Sequence, residues 1–441
     1  MRDVRMRGFA ERADVEDVEG FLAAHTAPLG AEDVALDACV ARVLARPLES
    51  PVDVPSFDRS AMDGYALRGA DTFGASAYDP IRLELVGESL PGRPCAARVG
   101  AGQAVRIMTG APLPEGADAV VMAEFSEEDD GHVEVRDAVA PRRNVSEIGE
   151  DVRRGGALLA PGRRLRPQDA ALLASVGIDR VPCVRSPRVR LVITGDELLP
   201  AGSRPEGARV VDSNSVMLRA LVARDGGVVL PFEILPDRAE RIREALAAPD
   251  ADVVLVSGGS SVGQEDHAPR LVAELGRLDF HGVAMRPSSP AGVGRIGRGV
   301  GGGAGGEARL VFLLPGNPVS CLCAYEFFAG PTLRGLGGRS REWPHRRVSL
   351  PLARKISSAL GRTDYVRVAI ENGQVVPLAT SGASILSSTV RADGVVIVPR
   401  DTEGYPEWAK VEVRLYDDAW SPDAPARRAA PRGAGPVGGV Q

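Results

Sequence analysis

The sequence is poor in aromatic residues and in cysteine. Phe, Trp and Tyr together make up 4% of its 441 residues, so we expect cores built from Val, Leu, Ala and Ile. The five cysteines are scattered and include no CxxC pair. An odd, scattered set argues against a disulfide framework or a zinc site and fits a reducing compartment. We therefore predict a cytoplasmic location.

Long apolar runs and an excess of basic residues are also missing. No run of about 18 apolar residues occurs, so we expect no membrane span. The N-terminal region has no long apolar segment, so we do not expect a signal peptide either. The formal net charge is −6, which argues against general nucleic-acid binding. An anionic ligand would therefore need positive contacts that are local.

The first part of the chain has mostly β-like patterns. Residues 1–15 are charged and aperiodic, and we predict that they are disordered. The apolar spacing from Val34 to Leu44 is typical of a helix, and the proline-punctuated residues 46–55 are predicted to be extended. Between Ser56 and Arg143, four β-like runs separated by turn residues predict a small inserted β domain.

The middle of the chain alternates apolar strands with helices. Such an alternation indicates an open, mostly parallel sheet with helices on both faces, which binds ligands at the carboxyl ends of its strands. The predicted strands are 188–195, 227–235, 251–259 and 308–316, and the predicted helices are 214–224, 237–247, 266–275 and the segment from Pro318.

The last part of the chain returns to β-like patterns. Four runs between residues 345 and 416 predict a small barrel or sandwich. The Pro-, Gly-, Ala- and Arg-rich residues from Ala419 onward are predicted to be disordered. The glycine run 297–306 is predicted to be a flexible loop between strands.

Three of the predicted strands end in glycine-containing turns, at 192–197, 256–266 and 313–320. Such turns need glycine for geometry alone, but backbone N–H groups at a helix start also attract phosphate. Three of them at one sheet edge favour a sizeable ligand site. Neither a Walker loop nor a GxGxxG fingerprint occurs, which disfavours ordinary P-loop or Rossmann nucleotide binding.

Carboxylates recur at these turns, namely Asp196, Glu197, Asp237, Glu265 and Asp266. Carboxylates that converge near a phosphate site usually hold Mg²⁺, which prefers oxygen ligands. Asp237 and Asp266 could instead cap the helices that follow them. The two interpretations are compatible within one site.

Seven motifs occur in the order found in one family. They are "SAMDGYA", "IMTGAPLPEGADAVV", "GEDV", "TGDEL", "SGGSSVG", "LPGNPVS" and "RADGVVIVP". The chain resembles the molybdopterin molybdenumtransferase family, which includes bacterial MoeA and the homologous domain of gephyrin. The resemblance spans roughly residues 16–416, and "SAMDGYA" together with "LPGNPVS" is a highly specific pair.

The resemblance implies a multidomain protein with α/β and β domains. Its central α/β domain would have three layers around an open, mostly parallel sheet, similar to MoaB and MogA, and it would be accompanied by an inserted β domain and a small C-terminal β-barrel domain. The implied boundaries are 16–57 with 144–186 for an N-terminal linker and dimerisation domain, 58–143 for the inserted domain, 187–338 for the molybdopterin-binding α/β domain, 345–418 for the barrel and 419–441 for a disordered tail.

The resemblance also implies the reaction and the partners. Family members insert molybdate into adenylated molybdopterin and release AMP in molybdenum cofactor biosynthesis, with Mg²⁺ assisting. From the resemblance we also expect an elongated homodimer, in which the α/β domain of one subunit faces the N-terminal domains of the other across a cleft. Contact with the adenylating protein of the same pathway is expected as well.

By resemblance, the catalytic carboxylates are Asp63, Asp151, Glu197 and Asp266, and the candidate Mg²⁺ ligands are Glu197, Asp237 and Asp266. Which carboxylate has which role stays open. The implied substrate contacts are Thr109, Gly258, Gly259, Ser261, Arg286, Ser289, Pro315, Gly316, Asn317, Ser320, Arg362, Ser387 and Ser388.

Two segments depart from the family pattern, and in one of them, residues 144–152, Ser146 stands at a position that the family often fills with Arg. Where the family has a "KPGKP"-like stretch with two lysines, this chain has "RPSSP", so Arg286 keeps the first cation and Ser289 removes the second. Arg295 and Arg298 could compensate or could be solvated surface residues. The departure leaves two alternatives to a molybdate enzyme. One is a paralogue for tungstate or a modified pterin nucleotide, and the other is a non-catalytic pterin-binding scaffold.

Overall fold

The computed structural model describes residues 12–259, 266–297, 308–379 and 382–417. The chain forms two compact units, Met1–Gly30 with Val184–Gln441, and Ala31–Cys183. The first of these units begins with helix α1 (Val15–Ala24). The predicted disordered tail and all of the predicted glycine loop except Gly297 lie outside the described residues. Within those residues, no helix has the length and apolar character needed to cross a membrane.

The unit Ala31–Cys183 contains a six-stranded sheet, which confirms the predicted β structure. Its strands are β1 Gly64–Leu67, β2 Ile81–Ser89, β3 Gln103–Ile107, β4 Ala119–Met122, β5 Ser126–Asp129 and β6 His132–Val135. Their order is β4-β1-β3-β2-β6-β5, and only β2 and β3 are parallel neighbours. Successive residues face opposite sides, so Leu67 and Val121 pack in one apolar cluster and Ala66 and Val120 in another.

Short elements complete this unit. Three two-stranded pairs are Ala31–Ala35 with Arg180–Val184, Leu48–Glu49 with Ala157–Leu159, and Arg59–Ser60 with Val145–Ser146. The helical elements are α2 (Pro167–Ser175) and the 3₁₀ turns Leu36–Ala38, Gly69–Thr72 and Ala123–Phe125. The side chain of Asp169, in the first turn of α2, accepts the backbone N–H of Arg166 at 2.9 Å, which helps to fix the helix start.

The helix predicted from Val34 to Leu44 is wrong. Only Leu36–Ala38 is helical there, as a single 3₁₀ turn. Ala41 has a φ of 67°, a left-handed conformation that an α-helix does not contain. Val43 and Leu44 then enter β-bridges, so their apolar side chains are buried by strand pairing rather than by a helical face.

The other unit contains a mostly parallel sheet, as predicted. Its strands are β7 Arg188–Thr194, β8 Val228–Val229, β9 Ile234–Leu235, β10 Val253–Ser257, β11 Gly276–His281, β12 Gly292–Ile296 and β13 Arg309–Leu314. The order is β8-β7-β10-β13-β12-β11, with β9 also pairing with β7. Strands β8, β7, β10 and β13 are parallel, and β12 and β11 form an antiparallel edge.

Helices cover both faces of this sheet. They are α3 Asn214–Arg224, α4 Ala239–Ala247, α5 Ala268–Leu275, α6 Pro318–Ala324 and α7 Gly330–Leu336, with a π-helical segment Tyr325–Ala329 between the last two. Ile193 packs with Leu218 of α3, whereas its neighbour Val192 packs with Ile242 of α4. The alternation along β7 thus produces the predicted three layers.

The strand predicted at 227–235 is broken into two short pieces, β8 and β9. Pro231 lies between them and has no N–H for a ladder hydrogen bond. A further short parallel pair, Leu198–Leu199 with Val210–Val211, follows the end of β7.

The same unit ends in the predicted β-barrel. Its strands are β14 Arg347–Pro351, β15 Thr363–Glu371, β16 Gln374–Ala379, β17 Gly394–Val398 and β18 Lys410–Leu415. They pair in the order β16-β15-β17-β18-β14, and a bridge between Leu352 and Val375 joins the two ends. A short pair, Ile356–Ser357 with Gly404–Tyr405, and helix α8 (Ser387–Val390) complete this part. The two-residue strand Met285–Arg286 pairs in parallel with β15 and so links the barrel to the α/β part.

Candidate functional site

Two of the predicted glycine turns meet at the carboxyl edge of the parallel sheet, beside the end of β7. Gly258 follows β10 with a φ of 98°, and an added Cβ would overlap the carbonyl oxygen of Thr194 at the end of β7. An added Cβ on Gly316, after β13, would lie 3.8 Å from the Cα of Gly258. Close packing therefore requires glycine at 258 and keeps the backbone of these turns open to a ligand.

Asn214, at the start of α3, connects two of these turns. Its Nδ2 donates to Ser257 Oγ at 2.9 Å and to the carbonyl oxygen of Gly316 at 2.7 Å. Within the described chain, Asn214 Oδ1 and Thr194 Oγ1 are buried without a hydrogen-bond partner. Buried polar atoms normally have one, so these two atoms are available to a ligand or to water at this edge.

The start of α6 offers fewer free donors than the sequence predicted. Pro318 has no N–H, and Val319 donates its N–H to the carbonyl oxygen of Ala383 at 3.0 Å. The predicted contacts in this turn divide into the exposed Gly316 and Asn317 and the buried Pro315 and Ser320. Ser261 lies outside the described residues, so its predicted contact stays a prediction.

Three carboxylate residues group at the end of β7. Asp237 Oδ2 accepts the N–H of Asp196 at 3.3 Å, and Asp196 Oδ1 accepts the N–H of Asp237 at 3.4 Å. An added Cβ on Gly195 would lie 2.7 Å from Oε2 of Glu197, so this carboxylate folds back over the turn.

The helix-capping interpretation of Asp237 and Asp266 is wrong. The N-cap residues of α4 and α5 are Arg238 and His267, and neither helix start has a side-chain capping hydrogen bond. Each aspartate precedes the N-cap residue of its helix, at the carboxyl edge of the sheet.

These carboxylates fit a Mg²⁺ ion only if the substrate phosphates supply some of its ligands. Across the described ranges, no group of three or more His, Cys, Asp or Glu residues could hold a metal. Mg²⁺ commonly keeps several waters and binds one or two carboxylates together with substrate phosphates. Glu197 and Asp237 fit such a shared ion. Asp266 is next to the turn of Gly259, where an added Cβ would lie 4.0 Å from its Oδ1.

A second site lies where the α/β part and the barrel join. A cavity of about 610 Å³, here called the arginine pocket, contains three of the predicted substrate contacts, Arg286, Ser289 and Arg362. Its full lining is Arg12, Asp14, Ala284, Met285, Arg286, Ser289, Gly361, Arg362 and Arg400.

Asp364 holds two of the pocket's guanidinium groups. This fully buried carboxylate accepts hydrogen bonds from Arg286 Nη2, from Arg362 Nε at 3.0 Å and from Ser358 Oγ at 2.8 Å. Charge-assisted bonds of this kind fix the orientation of the two arginines. The single negative charge of Asp364 balances only one of their two positive charges. The pocket therefore keeps positive charge.

Unpaired donors also face this region. Ser289 Oγ and Arg286 Nε are buried and have no hydrogen-bond partner among the residues that the structure describes. Arg295 does not contribute, because its guanidinium binds Asp279 through two bonds of 2.9 Å and stacks on Phe21. Arg298 lies outside the described residues. A small oxyanion is the ligand that suits the donors of the pocket.

The predicted pair Ser387 and Ser388 has unequal surroundings. Ser387 is exposed, whereas Ser388 is buried and accepts a hydrogen bond of 2.9 Å from Arg367 Nη1. Burial lowers the pKa of the Arg367 guanidinium. Ser388 therefore fixes a buried arginine, and of the two hydroxyls only that of Ser387 is open to a ligand.

In the unit Ala31–Cys183, Asp63 and Thr109 are in direct contact. Thr109 donates its backbone N–H and its hydroxyl to Asp63 Oδ1, and these bonds, the backbone bond first, lower the pKa of the Asp63 carboxyl. Asp151 is exposed and is held by its own N–H, which donates to the carbonyl oxygen of Val54 at 3.0 Å. All three predicted residues of this unit, Asp63, Thr109 and Asp151, are therefore exposed and open to substrate.

Sequence reasoning missed several residues of both sites. Asp364 had a usable signal, because it begins a predicted strand two residues after the family-matched Arg362. Thr194 and Asn214 also had one, since each flanks a predicted turn or helix start. Arg12 and Arg400 had none, because long-range pairing alone brings them to the pocket.

Three family profiles match consecutive parts of the chain. The MoeA N-terminal region (domain I and II) matches residues 13–177, and the probable molybdopterin binding domain matches residues 190–335. The MoeA C-terminal region (domain IV) matches residues 349–416.

Two relatives named molybdopterin molybdenumtransferase match most of the chain. The molybdopterin molybdenumtransferase of Haemophilus influenzae is 32% identical over 385 residues, which are 85% of this chain and 91% of that protein. The enzyme of the same name from Bacillus subtilis is 33% identical over 398 residues, 87% of this chain and 89% of its own. The crystal structure of the molybdopterin biosynthesis MoeA protein from Pyrococcus horikoshii OT3 is 32% identical, with a TM-score of 0.72 over 92% of this chain and 100% of that one. The chain therefore belongs to the MoeA family of molybdopterin molybdenumtransferases, which acts in molybdenum cofactor biosynthesis.

Proposed function

We propose that this protein binds adenylated molybdopterin and molybdate, inserts molybdenum into the pterin dithiolene and releases AMP. In this reaction the phosphoanhydride bond of the nucleotide breaks, and an oxygen from water or from molybdate takes the place of the leaving phosphate. The two dithiolene sulfurs displace one oxo group of molybdate, which leaves as water with the two thiol protons, so the products are AMP, water and the molybdenum cofactor.

The observation that supports the proposal most strongly is the arginine pocket. A tetrahedral dianion needs convergent cations and hydroxyl donors, and the pocket offers Arg286 and Arg362, both oriented by Asp364, together with the unpaired Ser289 Oγ. Such groups are worth more in a partly buried cavity than in water, because the local dielectric is lower. We assign molybdate to this pocket.

We assign the pterin phosphates to the glycine turns at the sheet edge. Gly258, Gly259 and Gly316 have no side chains of their own, so phosphate oxygens can approach their backbone closely. Thr194 would donate its unpaired hydroxyl to a phosphate oxygen, whereas the unpaired Oδ1 of Asn214 can only accept and would take an N–H of the substrate. The same contacts would hold the phosphoanhydride in place for attack.

We assign Mg²⁺ to the carboxylates at the end of β7. Glu197 and Asp237 would hold the ion with the substrate phosphates, and Asp266 would orient the attacking oxygen. When bound, Mg²⁺ would offset the charge that develops on the leaving phosphate. The grouping of Asp196, Glu197 and Asp237 supports this assignment.

Asp63, Thr109 and Asp151 would act from a second subunit in an elongated homodimer, across the cleft implied by the family resemblance. The Asp63 carboxylate, whose pKa is lowered, is a weak base and is suited to orient water rather than to accept a proton. Small-angle scattering at micromolar concentration should give a particle of two chains, and a compact monomer would exclude the shared cleft. Contact with the adenylating protein stays a prediction of the resemblance, and a cytoplasmic location stays a prediction from the scattered cysteines.

The decisive experiment is a turnover assay. Purified protein is incubated with adenylated molybdopterin, Mg²⁺ and molybdate, and AMP release and cofactor formation are followed. Release of AMP that requires molybdate would support the proposal. Binding of the pterin without any AMP release would identify a scaffold, and a requirement for tungstate that molybdate cannot meet would identify the paralogue.

A further inference from the structure

Ser289 leaves the arginine pocket with one cation fewer than the family's two-lysine pattern provides. An uncompensated loss would weaken the binding of a dianion considerably, since a unit-charge pair about 4 Å apart is worth roughly 4 kcal/mol at an effective dielectric near 20, before desolvation. Arg295 cannot compensate, because it is bound to Asp279. The pocket itself, however, contains two arginines outside the family motif, Arg12 and Arg400.

The N-terminal segment reaches the pocket by strand pairing. Ala13 donates its N–H to the carbonyl oxygen of Gly282 at 3.0 Å and accepts the N–H of Ala284 at 2.8 Å. In an extended segment alternate residues face the same side, so Arg12 and Asp14 both face the pocket and Ala13 faces away. This pairing builds one wall of the pocket from residues close to the chain start.

Arg400 is fixed on the opposite wall. Asp364 pairs with Val398 across β15 and β17, and the same register continued outward places Arg400 opposite Arg362. The carbonyl oxygen of Arg400 accepts the N–H of Gly361 at 2.7 Å, which holds its backbone against the pocket. Its guanidinium forms an ion pair with Asp14, so the side chain lines the pocket while it stays partly exposed to solvent.

The charges around the pocket match a dianion. Four guanidinium groups face two carboxylates, Asp14 and Asp364, which leaves a formal excess of two positive charges. Without Arg400 the excess would be a single charge. Molybdate carries two negative charges, so the complete pocket balances it and the reduced one does not.

We infer that Arg400 is the second cation of the oxyanion site and binds molybdate in place of the charge that Ser289 does not provide. The inference rests on the proposed function, since it assumes that molybdate occupies the arginine pocket. It assigns a substrate-binding role to a residue outside the motifs shared with the family. It also gives Asp14 and the strand pairing of Ala13 a role, because the pairing places Asp14 where it binds the guanidinium of Arg400.

The test uses the full-length protein and the neutral variant Arg400→Gln, which keeps most of the side-chain stem. Molybdate binding is measured by equilibrium dialysis, and the molybdate dependence of AMP release is measured in parallel. We expect Arg400→Gln to weaken molybdate binding by about tenfold or more, equivalent to about 1.4 kcal/mol. Arg347→Gln is the matched control, because Arg347 is similarly exposed (46% against 42%), is also paired with a carboxylate and lies outside the pocket. It should bind molybdate as the unaltered protein does.

A compensating substitution separates loss of charge from loss of structure. Ser289→Lys restores the family cation, so the double variant Arg400→Gln/Ser289→Lys should regain most of the lost affinity. In the unaltered background Ser289→Lys should bring a smaller gain, because two cations are already present. If the double variant stays as weak as Arg400→Gln, charge is not what Arg400 provides, and the inference is overturned.

Other outcomes are equally informative. If Arg400→Gln binds molybdate normally while AMP release still depends on molybdate, the inference fails and the proposed function stands. The same holds if Arg12→Gln, and not Arg400→Gln, weakens binding. If Arg400→Gln raises the KM for adenylated molybdopterin and leaves molybdate affinity unchanged, the pocket holds a substrate phosphate, and the inference also fails. If the unaltered protein neither binds molybdate nor requires it, the proposed function itself fails.

Discussion

Thr109 donates two hydrogen bonds to a single carboxylate oxygen of Asp63, from its backbone N–H at 2.7 Å and from its hydroxyl at 2.8 Å. Both bonds favour the ionised carboxylate and lower its pKa, although Asp63 is fully exposed. The bonds from Thr109 therefore hold the Asp63 carboxylate in a fixed position as an ionised hydrogen-bond acceptor.

Thr109→Val should move the acid limb of the activity profile to higher pH. The variant keeps the backbone donor and the side-chain shape but loses the hydroxyl, so the pKa of Asp63 should rise toward its usual range. Since a depressed pKa keeps the carboxylate ionised down to lower pH, the loss of one donor narrows the active range on the acid side only. The measurement is kcat/KM for AMP release as a function of pH. Thr109→Ser, which keeps the hydroxyl, should follow the unaltered profile, and a common acid limb for both variants would contradict the role of this bond.

Glu197→Gln, Asp237→Asn and Asp266→Asn should each suppress AMP release with little loss of stability. The first two should also raise the Mg²⁺ concentration needed for half-maximal release, because they remove proposed ligands. Helix capping is not the role of these residues, so unfolding should shift by less than the ~1 kcal/mol typical of a lost cap. Glu240→Gln is the control, since Glu240 is an exposed acidic residue in the first turn of α4. An unchanged Mg²⁺ requirement in the first two variants would remove the metal assignment.

Local patterns predicted the helices and strands around the sheet edge well. The helix predicted at 214–224 is α3, because its apolar spacing and its flanking residues agree with its packing on the sheet. Val34–Leu44 has a similar spacing but no helix, since the chain turns at Ala41 and pairs as strands. The spacing of apolar residues alone does not distinguish one buried face of a helix from apolar residues that are each buried by a separate contact.

The arginine pocket shows where sequence reasoning ended. Arg286, Ser289 and Arg362 were identified through family motifs, whereas Arg400 comes to the pocket only through the register of β15 and β17. Residues 1–15 were predicted to be disordered, which is wrong for Ala13, because this residue pairs with Val283. Charge and aperiodicity describe a segment by itself, and a single bridge to a distant strand is enough to order it.

Gly258→Ala should be one of the most damaging single substitutions at the site. The residue has a φ of 98°, and the added methyl group would overlap the carbonyl oxygen of Thr194, so both backbone strain and a steric clash oppose it. We expect a loss of about 3 kcal/mol or more in urea unfolding followed by circular dichroism. Gly202→Ala, at a φ of 92° in open space, isolates the backbone contribution and should cost only about 1–2 kcal/mol. Equal losses in the two variants would show that close packing against Thr194 does not matter.

Glu326 is a buried carboxylate between the α/β part and the barrel, within one compact unit. It accepts two hydrogen bonds from Arg224, at 2.7 and 3.0 Å, and His345 Nε2 lies 3.4 Å from its Oε1. Burial by itself would raise the pKa of Glu326, but the contacts from His345 and Arg224 outweigh it and lower the pKa to about 2. The carboxylate is therefore ionised and paired at neutral pH.

Glu326→Gln should destabilise this unit by about 1.5–3 kcal/mol, because Arg224 loses one of its two buried carboxylate partners and keeps only Asp225. Glu412→Gln is the matched control: Glu412 also pairs with an arginine, Arg347, but is half exposed, so its loss should cost below about 1 kcal/mol. The pH dependence gives a second, independent measurement. Since the folded-state pKa of Glu326 lies below its usual value of 4.5, its contribution is present above that value and is lost as the pH falls toward 2. Urea midpoints should therefore fall less steeply with acidification in Glu326→Gln than in the unaltered protein, and parallel curves would show that Glu326 is not the group that titrates.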